Sequence, residues 1–447
     1  MGHAPRRDSE LLRPSRVYYH TFGCKANQYD TERMRQEAEA RGSDTVSSWS
    51  EADVCVVNTC TVTNQADADA RRFIRRLNRE VPGVRVVVAG CSAALRAGDY
   101  RTMDGVTAVV EGQDPVAVSA AVTSRPVLLE LRSSLDRIDT EPVGGELLRR
   151  RAGASRGWLK VQDGCDRKCS FCATRLARGS ARSRSPEEVV AEARVLSTAH
   201  PELVVTGIHI GHYGRDLDPP WTLARLVALL LERVPGVRFR LGSVEATEVD
   251  DDLLGVLAGA GGWLARHLHM PLQSGSDPVL RRMRRWHTRE QYRRRVLEIV
   301  DRVGDMGLGA DIITGFPGET DEDHASTRAL VEELPFTYLH VFPFSPRDGT
   351  VAADLDHPVP QRVAGERSRE LRDLARAKGA AYRAGRAGQG ARVVVEGRGA
   401  TALTGDYLRV DVPRPCPDGT SPALRDGILG SRRGHLYIAW PRRLPSN

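Results

Sequence analysis

Along the first hundred residues, short apolar runs are separated by longer, more polar stretches. RVYYHTF (16–22) alternates as a strand does, and ADVCVVN (52–58) and VRVVVAG (84–90) are further apolar runs. Helices are expected between them, over 30–41 and 65–79. Strands alternating with helices build a parallel sheet with right-handed crossovers. Such a sheet opens the carboxyl ends of its strands on one edge, where ligand sites gather.

The same rhythm continues from about residue 151 to 380. WLKVQDGC, LVVTGIHIG, VRFRLGS, HLHMPLQSGS, LGADIITGFPGET and YLHVFPFSPRDGT read as strands with their loops. The segments between them read as helices; in SPEEVVAEARVLSTA, Ser185 is placed to cap and Pro186 stands at the first helical position. This repetition argues for a TIM-like barrel, partial or complete, with its active face at the strand carboxyl ends. From residue 381, ARVVVEG, GDYLRVDV, DGILG and HLYIAW are short strands with glycine-containing turns, the pattern of a small all-β barrel. The expected fold is therefore α/β: a parallel N-terminal domain over 15–122, a linker over 123–150, a barrel over 151–380 and a β-barrel module over 381–443.

Charge sharpens the last of these. The net charge is +7, and residues 381–447 hold eleven Arg against five acidic residues, so +6 of it sits in the C-terminal module. That excess suits a part that grips a polyanion, though a solvated surface has the same signature. RRMRRWHTREQYRRR (281–295) adds eight arginines, which cannot all face one way around a helix; part of the set is a candidate for phosphate contact. No apolar run approaches the length of a membrane span, and residues 1–16 carry neither the apolar core of a secretory signal nor a myristoylation motif. The chain is expected in the cytoplasm, where eight cysteines read better as metal ligands than as disulfides.

The cysteines carry the chemistry. Cys165, Cys169 and Cys172 stand as C-x3-C-x2-C in CDRKCSFC. Three thiolates on one short loop can hold a cubane iron–sulfur cluster and leave one iron open to bind and reduce something. A structural zinc site needs a fourth ligand; His200, His209 and His212 are the non-local possibilities. Cys24, Cys60 and Cys91 each fall within two residues of the end of an expected strand, so a parallel sheet would bring them to one edge as a second open three-thiol site, the alternative being three unrelated loop cysteines. Cys55 lies mid-strand and reads as packing, and Cys416 as incidental. Glycines at other strand ends (Gly207, Gly211, Gly275, Gly315, Gly318) allow close backbone approach to a cofactor or simply make turns.

CDRKCSFC resembles the cluster loop of radical S-adenosylmethionine enzymes, and Arg178-Gly179 with Arg182-Ser183-Arg184 resembles their methylthiotransferase branch. The chain departs from that branch at Arg175, where a proline is usual. TFGCKANQYD, NTCTVTNQADADARR and AGCSA resemble the branch's N-terminal domain. The resemblance implies that Cys24, Cys60 and Cys91 hold an auxiliary 4Fe–4S cluster, and that Cys165, Cys169 and Cys172 hold the 4Fe–4S cluster that chelates S-adenosylmethionine. TGIHIG, PLQSGS and DIITGFPGET resemble segments that cradle this cofactor, which implies contacts from Gln273, Ser274 and Ser276 with Gly207 and Gly315. Asp163 and Arg184 are further candidates. The C-terminal module resembles a TRAM domain, an OB-like barrel that binds tRNA.

The implied reaction is radical methylthiolation, fed by an unidentified one-electron donor. CKANQYDTERM, GIHIGHYGRDL and FPFSPRDGTVAA look most like the threonylcarbamoyladenosine type, which acts beside the anticodon of tRNA. Isopentenyladenosine in tRNA and a ribosomal-protein side chain are the other substrates of the branch. A non-catalytic RNA-binding protein with structural zinc is the reading from a different class.

Overall fold

The computed structural model describes residues 14–123, 147–396, 400–413 and 423–440. Residues 124–146 of the expected linker, together with Cys416, lie outside them. The chain divides into two compact units, one of Met1–Glu141 with Leu176–Gly179 and one of Pro142–Arg175 with Ser180–Asn447.

The first unit is built on five parallel strands, β1 (Arg16–Thr21), β2 (Asp44–Thr45), β3 (Val54–Thr59), β4 (Arg85–Gly90) and β5 (Val106–Val109), in the order β2-β1-β3-β4-β5. Successive residues of β3 enter different cores. Val54 and Val56 pack with Val17, Met34 and Val122, while Cys55 and Val57 pack with Ile74, Leu77 and Tyr100. A strand buried on both faces reads as a continuous apolar run, which is why VCVVN lacks alternation. Cys55 is fully buried in this core, and burial pushes its thiol up to about 12. The helix after β1 spans Lys25–Ala40 and begins five residues before its expected start, because Ala26, Asn27 and Tyr29 are drawn into the interior. Cys24 is thereby placed at that helix's N-cap position.

The second unit contains β6 (Arg156–Lys160), a two-residue antiparallel ribbon of β7 (Gln162–Asp163) with β8 (Arg182–Ser183), then β9 (Glu202–Thr206), β10 (Arg238–Leu241), β11 (His267–His269), β12 (Gly307–Thr314) and β13 (Tyr338–Pro343). β6-β9-β10 and β11-β12-β13 are parallel sheets, and the parallel bridges Phe239↔Leu264 and Ser243↔His269 lead from one to the other. Among the described residues, six strands thus follow one another in parallel without closing, a partial barrel. Several of its helices start on side-chain caps: Ser185 accepts from the Glu188 amide, and Thr288 and Thr320 each form a reciprocal capping box.

A 25-residue helix, Gln361–Gly385, follows the barrel and runs across residue 381, the expected start of the C-terminal module. Beyond it, β14 (Gly390–Glu396), β15 (Thr401–Thr404), β16 (Arg409–Asp411), β17 (Leu424–Arg432) and β18 (His435–Ala439) form a closed barrel. GDYLRVDV, expected as one strand, supplies only β16; its first residues turn back from β15, with Tyr407 at φ +69°.

This small barrel is fastened to the larger one by buried charge. Glu202 on β9 accepts from Arg238 Nε (2.6 Å) and Arg240 Nε (2.9 Å) of β10. The same guanidinium groups donate to the carbonyls of Arg392, Leu403, Thr404 and Gly405. Burial raises the Glu202 pKa, but the two arginines over-compensate and hold it at about 2.

Two candidate metal centres

Cys24, Cys60 and Cys91 follow β1, β3 and β4, which are neighbours in the sheet. Thr59 pairs with Gly90, so Cys60 and Cys91 leave their strands at the same level, and Thr21 pairs with Asn58 one strand over. The sheet register therefore brings three thiols from a 68-residue span to one edge. They feel one another: burial raises Cys60 to about 12, with the Cys91 and Cys24 charges adding to it. Cys91 is also raised by burial, against which Arg178 pulls it down. Gly23 (φ +103°) is required here, since a Cβ would lie 2.5 Å from Cys60 Sγ.

A polar shell holds Cys91. The buried Arg178 donates from Nε to Cys91 Sγ at 3.3 Å and from Nη2 to Asp30 at 2.8 Å and to Asn27 Oδ1 at 2.5 Å. Gln113 donates to the same sulfur at 3.4 Å. Asn27, fully buried, donates to the carbonyls of Phe22 and Thr59 and so ties the first loop to the second. Arg178 appeared in the sequence only inside a motif; its proximity to a thiol 87 residues away follows from the fold.

The second set lies on the loop after β7. Burial raises Cys165 to about 12, with Cys172 and Cys169 adding to the shift. Its sulfur is 3.6 Å from His209 Nδ1, and His209 Nε2 is 2.8 Å from Glu248, which also meets His212 Nε2 (3.0 Å) and accepts from Arg167 (3.0 Å). Arg285 donates to Cys169 Sγ at 3.7 Å and is paired with Glu245. The Thr174 amide donates to Cys172 Sγ at 3.4 Å. His209 is the histidine named from sequence as a possible fourth ligand that does come close; His200 instead accepts from the Arg151 amide.

Two histidine–carboxylate groups, His209/His212/Glu248 and His269/Asp311/His340, bring three ligand atoms within 4.8 Å of one another among the described residues. A structural zinc needs a fourth protein ligand, whereas three thiolates are the protein's whole share of a cubane cluster with one open iron.

The other residues named from sequence have partners within the protein. Ser276 Oγ donates to Asp323, and Ser274 Oγ lies 3.3 Å from Thr327 Oγ1. Gln273 (φ +66°) bonds through its backbone to Asp311 and Ile313 of β12. A Cβ on Gly207 would meet Gln162, and one on Gly315 would meet Ala364. Asp163 accepts from Lys160, and Arg184 pairs with Glu192. In the arginine-rich stretch, Arg282, Arg285, Arg293 and Arg295 make ion pairs, while Arg281, Arg284 and Arg294 are exposed.

Residues 16–112 match the uncharacterized protein family UPF0004, and residues 159–331 the radical SAM superfamily. The chain is 38% identical to the Bacillus subtilis threonylcarbamoyladenosine tRNA methylthiotransferase MtaB over 79% of each chain. It is 32% identical to the Treponema pallidum protein of that name, covering 94% of this chain and 97% of the relative. The chain belongs to the radical SAM tRNA methylthiotransferases. It is also 33% identical to the Bacillus pumilus tRNA-2-methylthio-N(6)-dimethylallyladenosine synthase, over 86% of this chain and 76% of the relative. As a radical SAM methylthiotransferase it uses S-adenosylmethionine and two 4Fe–4S clusters, and tRNA is its substrate. Among the described residues, no helix is long and apolar enough to cross a membrane.

Proposed function

We propose that this methylthiotransferase converts N6-threonylcarbamoyladenosine, next to the anticodon of tRNA, to its 2-methylthio derivative. The reaction class rests on one observation, two separate three-thiol sets, one on the loop after β7 and one gathered at the ends of β1, β3 and β4. The choice of nucleoside is supported by the identity of 38% to a threonylcarbamoyladenosine enzyme against 33% to a dimethylallyladenosine one.

Cys165, Cys169 and Cys172 hold the cluster that binds S-adenosylmethionine, and Cys24, Cys60 and Cys91 hold the auxiliary one. When bound, these groups supply one-electron cleavage of a carbon–sulfur bond and the sulfur to be transferred. The chain's own residues arrange the thiols. Asn27 fixes the first loop to the second, Arg178 sets a positive charge against Cys91, and His209, held by Glu248, orients toward Cys165. Gln273, Ser274, Ser276, Gly207 and Gly315 shape the wall that receives S-adenosylmethionine, with the two serines acting through the loop they hold in place. The domains take the roles of an N-terminal cluster domain, a radical SAM barrel and a C-terminal barrel that grips the anticodon arm. The electron donor is a separate partner, and the reaction runs in the cytoplasm.

Nucleoside mass spectrometry of tRNA from cells with and without the gene tests this. Deletion should remove 2-methylthio-threonylcarbamoyladenosine and accumulate its unthiolated precursor. Loss of the dimethylallyl derivative instead would keep the reaction and replace the nucleoside.

A further inference from the structure

In the partial barrel, β12 and β13 pair with Asp311 opposite His340 and Ile313 opposite Phe342. Leu308, Ala310, Ile312 and Val341 point to the buried outer side. There Thr314 Oγ1 is 2.7 Å from Ser368 Oγ, and Arg372 donates to the Val341 carbonyl, both from the helix Gln361–Gly385. Alternation along the strands then puts Asp311, Tyr338, His340 and Phe342 on the inner wall. Inner walls of closed barrels are filled by side chains. This one is open: β13 is an edge strand, the His340 side chain is 54% exposed and Phe342 is 39% exposed.

The two exposed rings are backed by a hydrogen-bonded chain. Asp311 Oδ1 lies 3.3 Å from His340 Nδ1 and 3.1 Å from His269 Nε2. His269 Nδ1 is 3.2 Å from Tyr338 Oη, which is 2.8 Å from His267 Nε2. Asp311 fixes His340 through Nδ1 and leaves Nε2 as the ring's outward polar atom. An exposed phenyl ring is a stacking surface for a nucleobase. Beside it, an oriented imidazole suits a polar substituent; an apolar one would desolvate the imidazole without replacing its hydrogen bond.

We propose that His340 and Phe342, backed by Asp311 and His269, form the subsite for the modified nucleoside. Phe342 stacks on the adenine, and His340 hydrogen-bonds the carbamoyl-threonine substituent on N6. This rests on the threonylcarbamoyl reading above. An aliphatic dimethylallyl group offers nothing for the imidazole to bond, so the same wall selects between the two nucleosides.

The test is affinity of the anaerobically reconstituted full chain for anticodon stem-loop RNAs carrying threonylcarbamoyladenosine, dimethylallyladenosine or plain adenosine. Wild type should prefer the first by about tenfold or more, and His340→Phe should erase most of that preference. Phe342→Ala should weaken all three RNAs by about fivefold or more. Iron content and melting temperature of each variant establish that it has folded, and His340→Gln, which keeps a donor, should retain part of the preference. A folded His340→Phe that still prefers threonylcarbamoyladenosine overturns the subsite while leaving the nucleoside assignment standing. Equal binding of all three RNAs by wild type overturns the nucleoside assignment and the subsite with it. A stoichiometric divalent ion bound by wild type and lost in His269→Ala would also overturn it, making the three side chains a metal site.

Discussion

The two cysteine sets contain the same number of thiols and reach that number by opposite routes. Cys165, Cys169 and Cys172 share eight residues of one loop, so their convergence is local and depends little on the rest of the barrel. Cys24, Cys60 and Cys91 converge only once β1, β3 and β4 have paired in register. Their surroundings differ in kind as well. Each loop thiol has its own partner, His209, Arg285 or Thr174, whereas in the strand-end set Asn27, Arg178 and Gln113 gather on Cys91. A local site is a motif; a strand-end site is a property of a folded sheet.

Removing thiols should break the comparison most completely. Alanine at Cys24, Cys60 or Cys91 should halve the iron of a holoenzyme that carries about eight per chain, abolish methylthiolation and spare S-adenosylmethionine cleavage. Alanine at Cys165, Cys169 or Cys172 should abolish both activities. Methylthiolation that survives the first set of changes would sink the assignment of the strand-end cluster.

Gly23→Ala separates the sites without touching a ligand. The left-handed φ costs about 1–3 kcal/mol and the new methyl group collides with Cys60, so iron should fall toward half while the loop cluster stays. Iron analysis with electron paramagnetic resonance would show whether the loss is confined to one cluster. Equal loss at both would mean that the sets are not independent.

Arg178→Met should act more gently, because it removes a charge and its hydrogen bonds but no ligand. Chelator challenge should strip the strand-end cluster about tenfold faster, with no change at the loop. The smallest expected effect is common to both. Cys60 and Cys165 are each held near 12, so both thiols stay protonated at neutral pH in the metal-free chain. Cluster assembly must release those protons, and the yield of reconstitution should rise between about pH 7 and about pH 9 at both sites. A yield that falls with pH would contradict the burial of these thiols.

The loop set was plain in the sequence, and so were the ends of β1, β3 and β4, because apolar runs of strand length stop beside each cysteine. The shell around them was not. Arg178 and Cys91 are joined by tertiary structure alone, and no local pattern relates them. Burial of Asn27 and Tyr29 likewise lengthened a helix that the polar KANQYD suggested should start later. The helix Gln361–Gly385 was missed although its buried positions, Ala364, Arg367, Ser368, Leu371 and Ala375, carry a helical stripe. Ser274 and Ser276, singled out as ligand contacts, bond to Thr327 and Asp323 of the helix Asp321–Glu333, partners that no local pattern relates to them.

The fastening of the C-terminal barrel bears on how that barrel can change. Arg238 and Arg240 grip it by four main-chain oxygens, at residues 392, 403, 404 and 405, and side chains add to the joint where Arg240 lies over the Tyr407 ring and Arg156 donates to Glu396. Every residue type supplies a main-chain oxygen, so residues 403, 404 and 405 can be rewritten without losing those bonds, provided the hairpin keeps its path, whereas Arg392, which also lies over Trp263, cannot be exchanged so freely. Neutral drift or deliberate redesign can therefore retune the free faces of the small barrel while its main-chain bonds to the larger one stay the same.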